Sequence, residues 1–250
     1  MTDEELIKRA ADLAGQCEKR GRISYSAFLT PAEGYAMEQW AGRGTDCRML
    51  LHGGYSGAER RVAFFLPDWL EAEDFDPSEY LCAVEATARF GSPGHRDYLG
   101  AALGLGIERP WLGDILVEGE RAYLLCLPSV KGHLLLNLEQ VGRWGVKTRE
   151  IPLSELPDTE KEYKERTFSV KSLRLDAVCA GMFSLSRTSA AEAIAAGLVA
   201  HNYAECLKPD APVRAGDVIS LRGKGKGSVR SAGDRESKKG RLFVTVEIAI

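Results

Sequence analysis

Residues 171–203 decide the fold of the C-terminal part of this chain and read KSLRLDAVCAGMFSLSRTSAAEAIAAGLVAHNY. Leu173, Ala177 and Val178 form one apolar stripe, which predicts a short helix. Gly181 weakens that helix, because glycine is a poor helix former, and helical structure is expected to start again at Ser186. The stretch therefore predicts two consecutive short helices.

The second helix is predicted over Ser189–Ala196, with Ser186 as its N-cap and Gly197 in the left-handed position that ends many helices. The first turn of a helix presents unpaired N–H groups and a partial positive charge, which together favour a phosphate. Arg187 and Thr188 add a guanidinium and a hydroxyl at that end. The pattern fits either a phosphate-binding helix end or an ordinary capped surface helix.

The residues after this helix predict short strands that lead into a basic segment rich in glycine. Leu198–His201 is a predicted strand, Asn202–Ala204 its turn, and Val218–Leu221 a further strand. Residues 222–230 follow directly and read RGKGKGSVR. Glycine lets a backbone approach a sugar-phosphate surface closely, while each long basic side chain reaches a separate phosphate. The alternative is a flexible, solvated loop.

About 60 residues of this region resemble the S4 RNA-binding domain in the order and spacing of their motifs, S-L-R-L-D, S-R-T-x-A-x-x-x-I-x-x-G-L-V, a short N-Y turn and G-D-V-I-S-L-R-G-K-G-K. The resemblance implies an RNA-facing surface made of Lys171, Arg174, Ser186, Arg187, Thr188, Lys208, Arg222, Lys224, Lys226 and Arg230. Asp176 is expected to support the fold. The chain departs from the family at Ala200-His201 and Asn202-Tyr203, where basic residues and Asn-Gly are common.

The middle of the chain indicates which subfamily of S4-domain proteins the sequence resembles. The motifs H-R-D-Y-L-G, L-G-I-E-R and G-D-I-L-V, within residues 95–117, resemble the middle domain of the bacterial YlmH family, whose members end in an S4 domain. That resemblance implies a role in ribosome-associated quality control or cell division, with the large ribosomal subunit, its 23S rRNA and bound tRNA as partners. His95, Arg96 and Arg109 are expected to form a second RNA contact, or else to be surface charges around a capped helix.

The remaining patterns predict an α+β protein with three segments. Thr2-x-x-Glu5 and Thr30-Pro31-x-Glu33 are capping boxes that start helices over about 3–19 and up to about Ala41, so residues 1–44 are expected to form a small helical unit. Short strand-like runs alternating with helical ones predict a split β-α-β middle domain over 45–165. Residues 152–166 are a linker or an exposed strand, and 170–250 is the S4 domain.

The charge is distributed unevenly along the chain. The net formal charge is −3, but residues 171–250 hold 13 Lys and Arg against 8 Asp and Glu, a net of +5. A basic end on an acidic body suggests that the end binds a polyanion.

Several classes of protein are not supported by the sequence. The six cysteines contain no C-x-x-C pair and the four histidines no metal-binding spacing, so neither a metal nor a cofactor is expected. The acidic start and the lack of a long apolar run predict a cytoplasmic protein without a membrane span, and we expect a monomer.

Catalysis is also not expected. Pseudouridine synthases of this kind carry a catalytic aspartate in a separate domain after the S4 unit, whereas only 20 residues follow Arg230. The glycines at 100, 104 and 106 do not form a G-x-G-x-x-G nucleotide motif. The sequence therefore predicts a non-catalytic factor for structured RNA. The alternative is an RNA-modifying enzyme, similar to a pseudouridine synthase, with its active site in the middle domain.

Overall fold

The computed structural model describes residues 2–45, 47–158, 163–236 and 240–249. The chain divides into two compact units, Met1–Thr159 and Glu160–Ile250, which fold around separate cores. Both units combine helices with antiparallel sheets, so the α+β prediction is confirmed.

The first unit begins with two helices and a three-stranded sheet of order β1-β3-β2. Its elements are α1 (Asp3–Arg20), β1 (Ser24–Leu29), α2 (Pro31–Gly44), β2 (Arg48–His52) and β3 (Arg61–Leu66). Both predicted capping boxes are present, and the apolar stripe of α1 packs onto Phe65 of β3. The expectation that residues 1–44 are only helical is wrong, because β1 lies between the helices. Six residues carry too little periodicity to reveal a strand whose partner, β3, follows about 35 residues later.

A second sheet of five strands follows in the same unit. Its elements are β4 (Cys82–Ala88), α3 (His95–Gly104), β5 (Leu112–Glu118), β6 (Arg121–Cys126), α4 (Pro128–Asn137), β7 (Gln140–Val141) and β8 (Trp144–Ile151). The strands are antiparallel in the order β5-β6-β4-β8-β7, with β4 paired to both β6 and β8. Two strand-helix-strand connections that each skip a neighbouring strand give the predicted split β-α-β arrangement.

The two faces of the five-stranded sheet are covered differently. Helices α3 and α4 cover one face, where Tyr98 and Leu134 pack onto Val84 and Leu124. On the other face, the first sheet covers one end of the strands through aromatic residues such as Phe28. The rest of that face remains partly open to solvent.

Gly113 in β5 is required for the packing of Phe28. A Cβ atom at Gly113 would lie 2.6 Å from Phe28 Cε1 and 2.9 Å from Leu125 Cβ. We expect Gly113→Ala to lower the free energy of unfolding by about 2 kcal/mol, since a packed core resists an added methyl group. Gly100→Ala is the control, because that helical glycine has open space around its Cβ position and alanine is the better helix former.

The measurement is urea unfolding followed by tryptophan fluorescence. It reports on this unit alone, because all the tryptophans of the chain lie in it, at Trp40, Trp69, Trp111 and Trp144. A Gly113→Ala protein as stable as the Gly100→Ala protein would contradict the close approach of the Phe28 ring.

The second unit packs two short helices against a six-stranded antiparallel sheet. Its elements are β9 (Tyr163–Val170), α5 (Leu175–Phe183), α6 (Arg187–Ala195), β10 (Val199–His201), β11 (Ala204–Glu205), β12 (Val218–Leu221), β13 (Gly225–Glu236) and β14 (Leu242–Ala249). The sheet order is β11-β10-β12-β13-β14-β9. The two predicted helices are confirmed, and so are the predicted strands Leu198–His201 and Val218–Leu221, which correspond to β10 and β12. Of the segment 152–166, residues 159–162 lie outside the described part, and β9 begins at Tyr163.

Gly181 does not end the first helix of this unit. Helix α5 continues to Phe183, and a Cβ atom at Gly181 would lie 2.2 Å from Phe168 Cε2. The glycine therefore serves the packing of helix on strand, because only a residue without a side chain lets the Phe168 ring lie against the helix.

Candidate nucleic-acid interface

The N-terminus of α6 has the geometry that the sequence predicts. The Ser186 side-chain oxygen accepts a hydrogen bond from the Ser189 N–H at 3.0 Å. The N–H groups of Arg187 and Thr188, the first two residues of the helix, have no acceptor within the helix itself. Ser186, Arg187 and Thr188 are all exposed. This helix end can therefore receive an anion.

A buried carboxylate beside this helix end holds two arginines. Asp176, in the first turn of α5, is 7% exposed and accepts from Arg187 Nε at 3.1 Å and from Arg187 Nη2 at 3.2 Å. Arg174 Nε lies 3.4 Å from the same carboxylate, and both arginine side chains remain about half exposed. Two guanidinium groups share one carboxylate, so the cluster keeps a net positive charge and a fixed orientation.

Lys208 belongs to the loop that covers the N-terminus of α5. The N–H groups of Leu175 and Asp176 donate to the carbonyls of Ala211 and Pro209, each at 2.9 Å. These bonds satisfy the first turn of α5, so this helix end does not offer N–H groups to a ligand. They also hold the loop that carries the exposed Lys208 close to the start of the helix.

The basic glycine-rich segment is a tight hairpin rather than a loop. Arg222 and Lys224 are exposed in the turn between β12 and β13, where Gly223 and Gly225 have φ values of +80° and +109°. Lys226 already belongs to β13, opposite Ser220, and is half-buried. The segment predicted as a loop is thus a hairpin turn, because left-handed glycines fold it back on itself, and its contact with RNA stays a prediction.

The two ends of α6 carry separate groups of predicted residues. The Arg222 N–H donates to the carbonyl of Leu198, which lies two residues after the C-cap of α6, Ala196. Arg187 begins the same helix at its other end. A helix of nine residues is about 13 Å long. Arg174, Arg187 and Lys208 thus lie at one end, and Arg222 and Lys224 at the other.

A basic groove brings Lys171 to the same region as Arg187. The groove has a volume of about 390 Å³, and its charged lining residues are Lys171, Arg187 and Arg241. Arg241 donates to both the carbonyl and the hydroxyl of Ser169. Sequence reasoning missed Arg241, although it stands in the basic run Lys238-Lys239-Gly240-Arg241. Arg230 lies elsewhere and pairs with Glu247.

The structure brings together only two of the three residues expected to form a second RNA contact. His95 and Arg96 are exposed in the first turn of α3. Arg109 does not join them, because its guanidinium donates to the carbonyls of Leu112 and Gly113 at 2.7 and 3.0 Å. Burial, together with the neighbouring Arg60, lowers the pKa of Arg109 to about 10. Arg109 therefore supports the fold through these carbonyls, and an RNA contact of His95 and Arg96 stays a prediction.

The turn within residues 200–203, where the sequence departs from the S4 pattern, is bound to a buried carboxylate. Asn202 and Tyr203 have φ values of +51° and +68°, a two-residue hairpin turn. The buried Asp217 carboxylate contacts His201 Nε2 and Asn202 Nδ2, each at 2.8 Å. Burial acts to raise the pKa of Asp217, but the hydrogen bonds from His201, Asn202 and the Arg214 N–H outweigh it and lower the pKa. The turn is thus held by the bonds of the His201 and Asn202 side chains to Asp217.

Metal and membrane sites are not indicated in the part of the chain that the structure describes. Within it, no group of three His, Cys, Asp or Glu side chains could hold a metal ion. None of its helices is long and apolar enough to cross a membrane.

Comparisons with known proteins agree on one family. A family model described as "YlmH, N-terminal" matches residues 2–67, and one described as "Putative RNA-binding domain in YlmH" matches residues 71–155. The protein "Ribosome-associated protein quality control protein P2" of Bacillus subtilis (strain 168) is 30% identical over 245 residues, which cover 98% of this chain and 95% of that protein.

A solved structure, "Cell division protein ylmH from Streptococcus pneumoniae", shares the fold with a TM-score of 0.51 and 22% identity over 62% of this chain and 94% of that one. Because two family models and a relative of nearly full length coincide, the chain belongs to the YlmH family.

Proposed function

We propose that the protein is a non-catalytic, cytoplasmic factor that binds structured RNA of the ribosome through an S4-type domain over residues 170–250. Its target is the 23S rRNA of the large subunit together with bound tRNA, in ribosome-associated quality control. The observation that carries this proposal is the buried Asp176 carboxylate, which holds Arg174 and Arg187 side by side next to the N-terminus of α6.

The geometry of this cluster suits a phosphate. Removing a carboxylate from water is costly unless it is paired, so Asp176 stays bound to its arginines. Arg187 uses Nε and Nη2 for that pair, which leaves the other N–H groups of an exposed guanidinium for phosphate oxygens. A planar guanidinium held in one orientation loses less conformational entropy on binding than a mobile one.

Two further observations support RNA as the ligand. The second unit is the basic part of the chain, and its exposed cations lie on the helices and hairpins that resemble an S4 domain. The Bacillus subtilis relative is named for ribosome-associated quality control, and one matching family model is described as RNA-binding. Folded RNA is recognised mainly through its shape and its phosphates, which such a surface can contact.

Asp176→Asn provides the test. We expect this change to weaken binding to purified large ribosomal subunits about tenfold, although it makes the protein more positive by one charge, because the two guanidinium groups lose a charged hydrogen-bond acceptor. Glu192→Gln on the exposed side of α6 is the control, since it changes the charge equally without touching the arginines. Filter binding gives the affinities, and circular dichroism shows whether the variants fold.

If the net charge alone determined the affinity, both variants would bind RNA more tightly than the unmodified protein. That result would contradict the proposal. If Asp176→Asn fails to fold, Arg187→Gln replaces it, since that side chain is about half exposed and its loss leaves Arg174 to pair with the carboxylate. Unchanged affinity of Arg187→Gln would overturn the proposed function.

A further inference from the structure

The five-stranded sheet of the first unit has a basic face. At one end of this face, Ala83, Leu125 and Ile151 align across β4, β6 and β8 and pack against the first sheet. The next row along the strands consists of Tyr123, Glu85 and Arg149.

Beyond that row the first sheet no longer covers the strands. The following row consists of Arg121, Thr87 and Lys147. Arg89 comes after it, bonded to the carbonyl of Gly145. A Cβ atom at Gly145 would lie 3.9 Å from Arg89 Cδ, which places the Arg89 side chain over this glycine and on the same face.

Four cations therefore share this surface, which we call the basic sheet face: Arg89, Arg121, Lys147 and Arg149, all exposed. Neighbouring strands are about 4.8 Å apart, and residues two apart along a strand about 6.7 Å. The four side chains thus spread over a flat area instead of forming one pocket. Long side chains spaced in this way reach separate anionic groups.

A buried carboxylate orients one of these cations. Glu85 has an 8% exposed side chain and accepts from Arg149 Nε at 3.0 Å and from Arg149 Nη2 at 2.8 Å. The Arg149 side chain itself is 57% exposed. In both units, therefore, a buried carboxylate fixes the orientation of an exposed arginine: Glu85 binds Arg149 in the first unit, and Asp176 binds Arg187 in the second.

The distribution of charge singles out this face. Residues 71–155 contain 14 Asp and Glu against 8 Lys and Arg, so the domain as a whole is acidic. Half of those basic residues lie on the basic sheet face. The acidic groups facing them are Glu85 beneath Arg149, Glu118 opposite Arg121, and Glu155 at 3.6 Å from Arg149. Four cations exceed these three carboxylates, of which one is buried.

We propose that the basic sheet face binds the sugar-phosphate backbone of an RNA segment, as a contact separate from the C-terminal unit. The inference rests on the proposed function and adds the site by which the first unit takes part in it. Tyr123, the aromatic residue of these rows, is 5% exposed and therefore offers no stacking platform for bases. The contact is accordingly independent of sequence and made with phosphates.

The test replaces Arg89, Arg121 and Lys147 by Gln together and leaves the Glu85–Arg149 pair intact. The control replaces Lys8, Arg9 and Lys19, which are exposed on α1 of the same unit, and produces the same change of net charge. Affinity is measured for purified large ribosomal subunits and for protein-free 23S rRNA at several salt concentrations. We expect the face variant to bind both about tenfold more weakly, with a salt slope reduced by two to three phosphate equivalents.

The control variant is expected to bind within about twofold of the unmodified protein, since its charges lie off the proposed contact. If Asp176→Asn weakens binding while the face variant does not, the basic sheet face is not a contact and the proposed function stands. If neither changes affinity, both proposals fail. Weaker binding to subunits with unchanged binding to 23S rRNA would mean that a ribosomal protein occupies the face, which overturns the inference.

An independent measurement uses the unmodified protein. Ultraviolet crosslinking to large subunits, followed by mass spectrometry, is expected to find RNA attached to peptides from β6 and β8. Crosslinks confined to peptides of the second unit would contradict the basic sheet face even if the face variant were poorly folded.

Discussion

Raising the salt concentration from 50 to 200 mM is expected to weaken binding of this protein to large ribosomal subunits on the order of 10³-fold. The second unit alone offers about six cations for phosphates, each at least partly exposed: Lys171, Arg174, Arg187, Lys208, Arg222 and Lys224. Each phosphate contact releases a bound counterion, so the logarithm of the affinity falls by nearly one for every decade of salt and every contact.

Fluorescence anisotropy at four or more salt concentrations measures this slope, which should be about −5 for six contacts. Contacts of the basic sheet face would make it steeper. A slope shallower than about −2 would mean that phosphates contribute little, and would contradict an RNA-binding surface built on these cations.

Variants of the β12–β13 hairpin provide an internal control for the salt experiment. Replacing Arg222 and Lys224 by Gln should reduce the slope by about two, because both are exposed in the turn. Lys226→Gln should leave the slope unchanged, since Lys226 is half-buried on β13. If Lys226→Gln also reduced the slope by about one, the whole segment would contact RNA, as the sequence alone suggested.

Replacing Arg149 by Ala is expected to lower the free energy of unfolding of the first unit at pH 7. The reason is that the variant leaves the buried Glu85 carboxylate without its ionic partner, and an unpaired buried charge destabilises a fold. Solvent screens part of the interaction, because the Arg149 side chain is 57% exposed. Urea unfolding followed by tryptophan fluorescence measures the loss.

The effect should depend on pH in a defined direction. In the unmodified protein, hydrogen bonds from Arg149 lower the pKa of Glu85 below its ordinary value, against the effect of burial. The pair therefore stabilises the fold at pH values above about 4.3, the pKa of glutamate in the unfolded chain. This contribution is lost as the pH falls through the lower pKa that Glu85 has in the folded protein. The difference between variant and unmodified protein should accordingly be constant near neutral pH and shrink as the pH falls below about 4.3.

A second substitution separates the buried charge from lost packing. Adding Glu85→Gln to Arg149→Ala should recover part of the stability at pH 7, because a neutral amide is less costly to bury than a carboxylate. A double variant as unstable as Arg149→Ala would show that the loss came from packing of the arginine stem. Arg143→Ala, whose guanidinium lies over the Trp144 ring at the edge of the sheet, serves as the control.

Local features of this protein were predictable because their causes lie within a few residues. Thr2, Thr30 and Ser186 cap helices through N–H groups three residues later, and Gly197 has the left-handed backbone expected after a helix. The split β-α-β order followed from alternating strand and helix patterns. The exposed basic residues at both ends of α6 were likewise visible as motifs.

The sequence by itself determined the helices with their caps, strands β10 and β12 of the second unit, the basic end of the chain and the family resemblance. Only the tertiary structure decided which cations point at solvent and which are held by carboxylates. Asp176 and Arg187 stand on different helices, Arg109 turns inward to two carbonyls, and the basic sheet face gathers residues from separate strands. These arrangements depend on strand register and on burial, both of which arise from contacts between residues far apart in the chain.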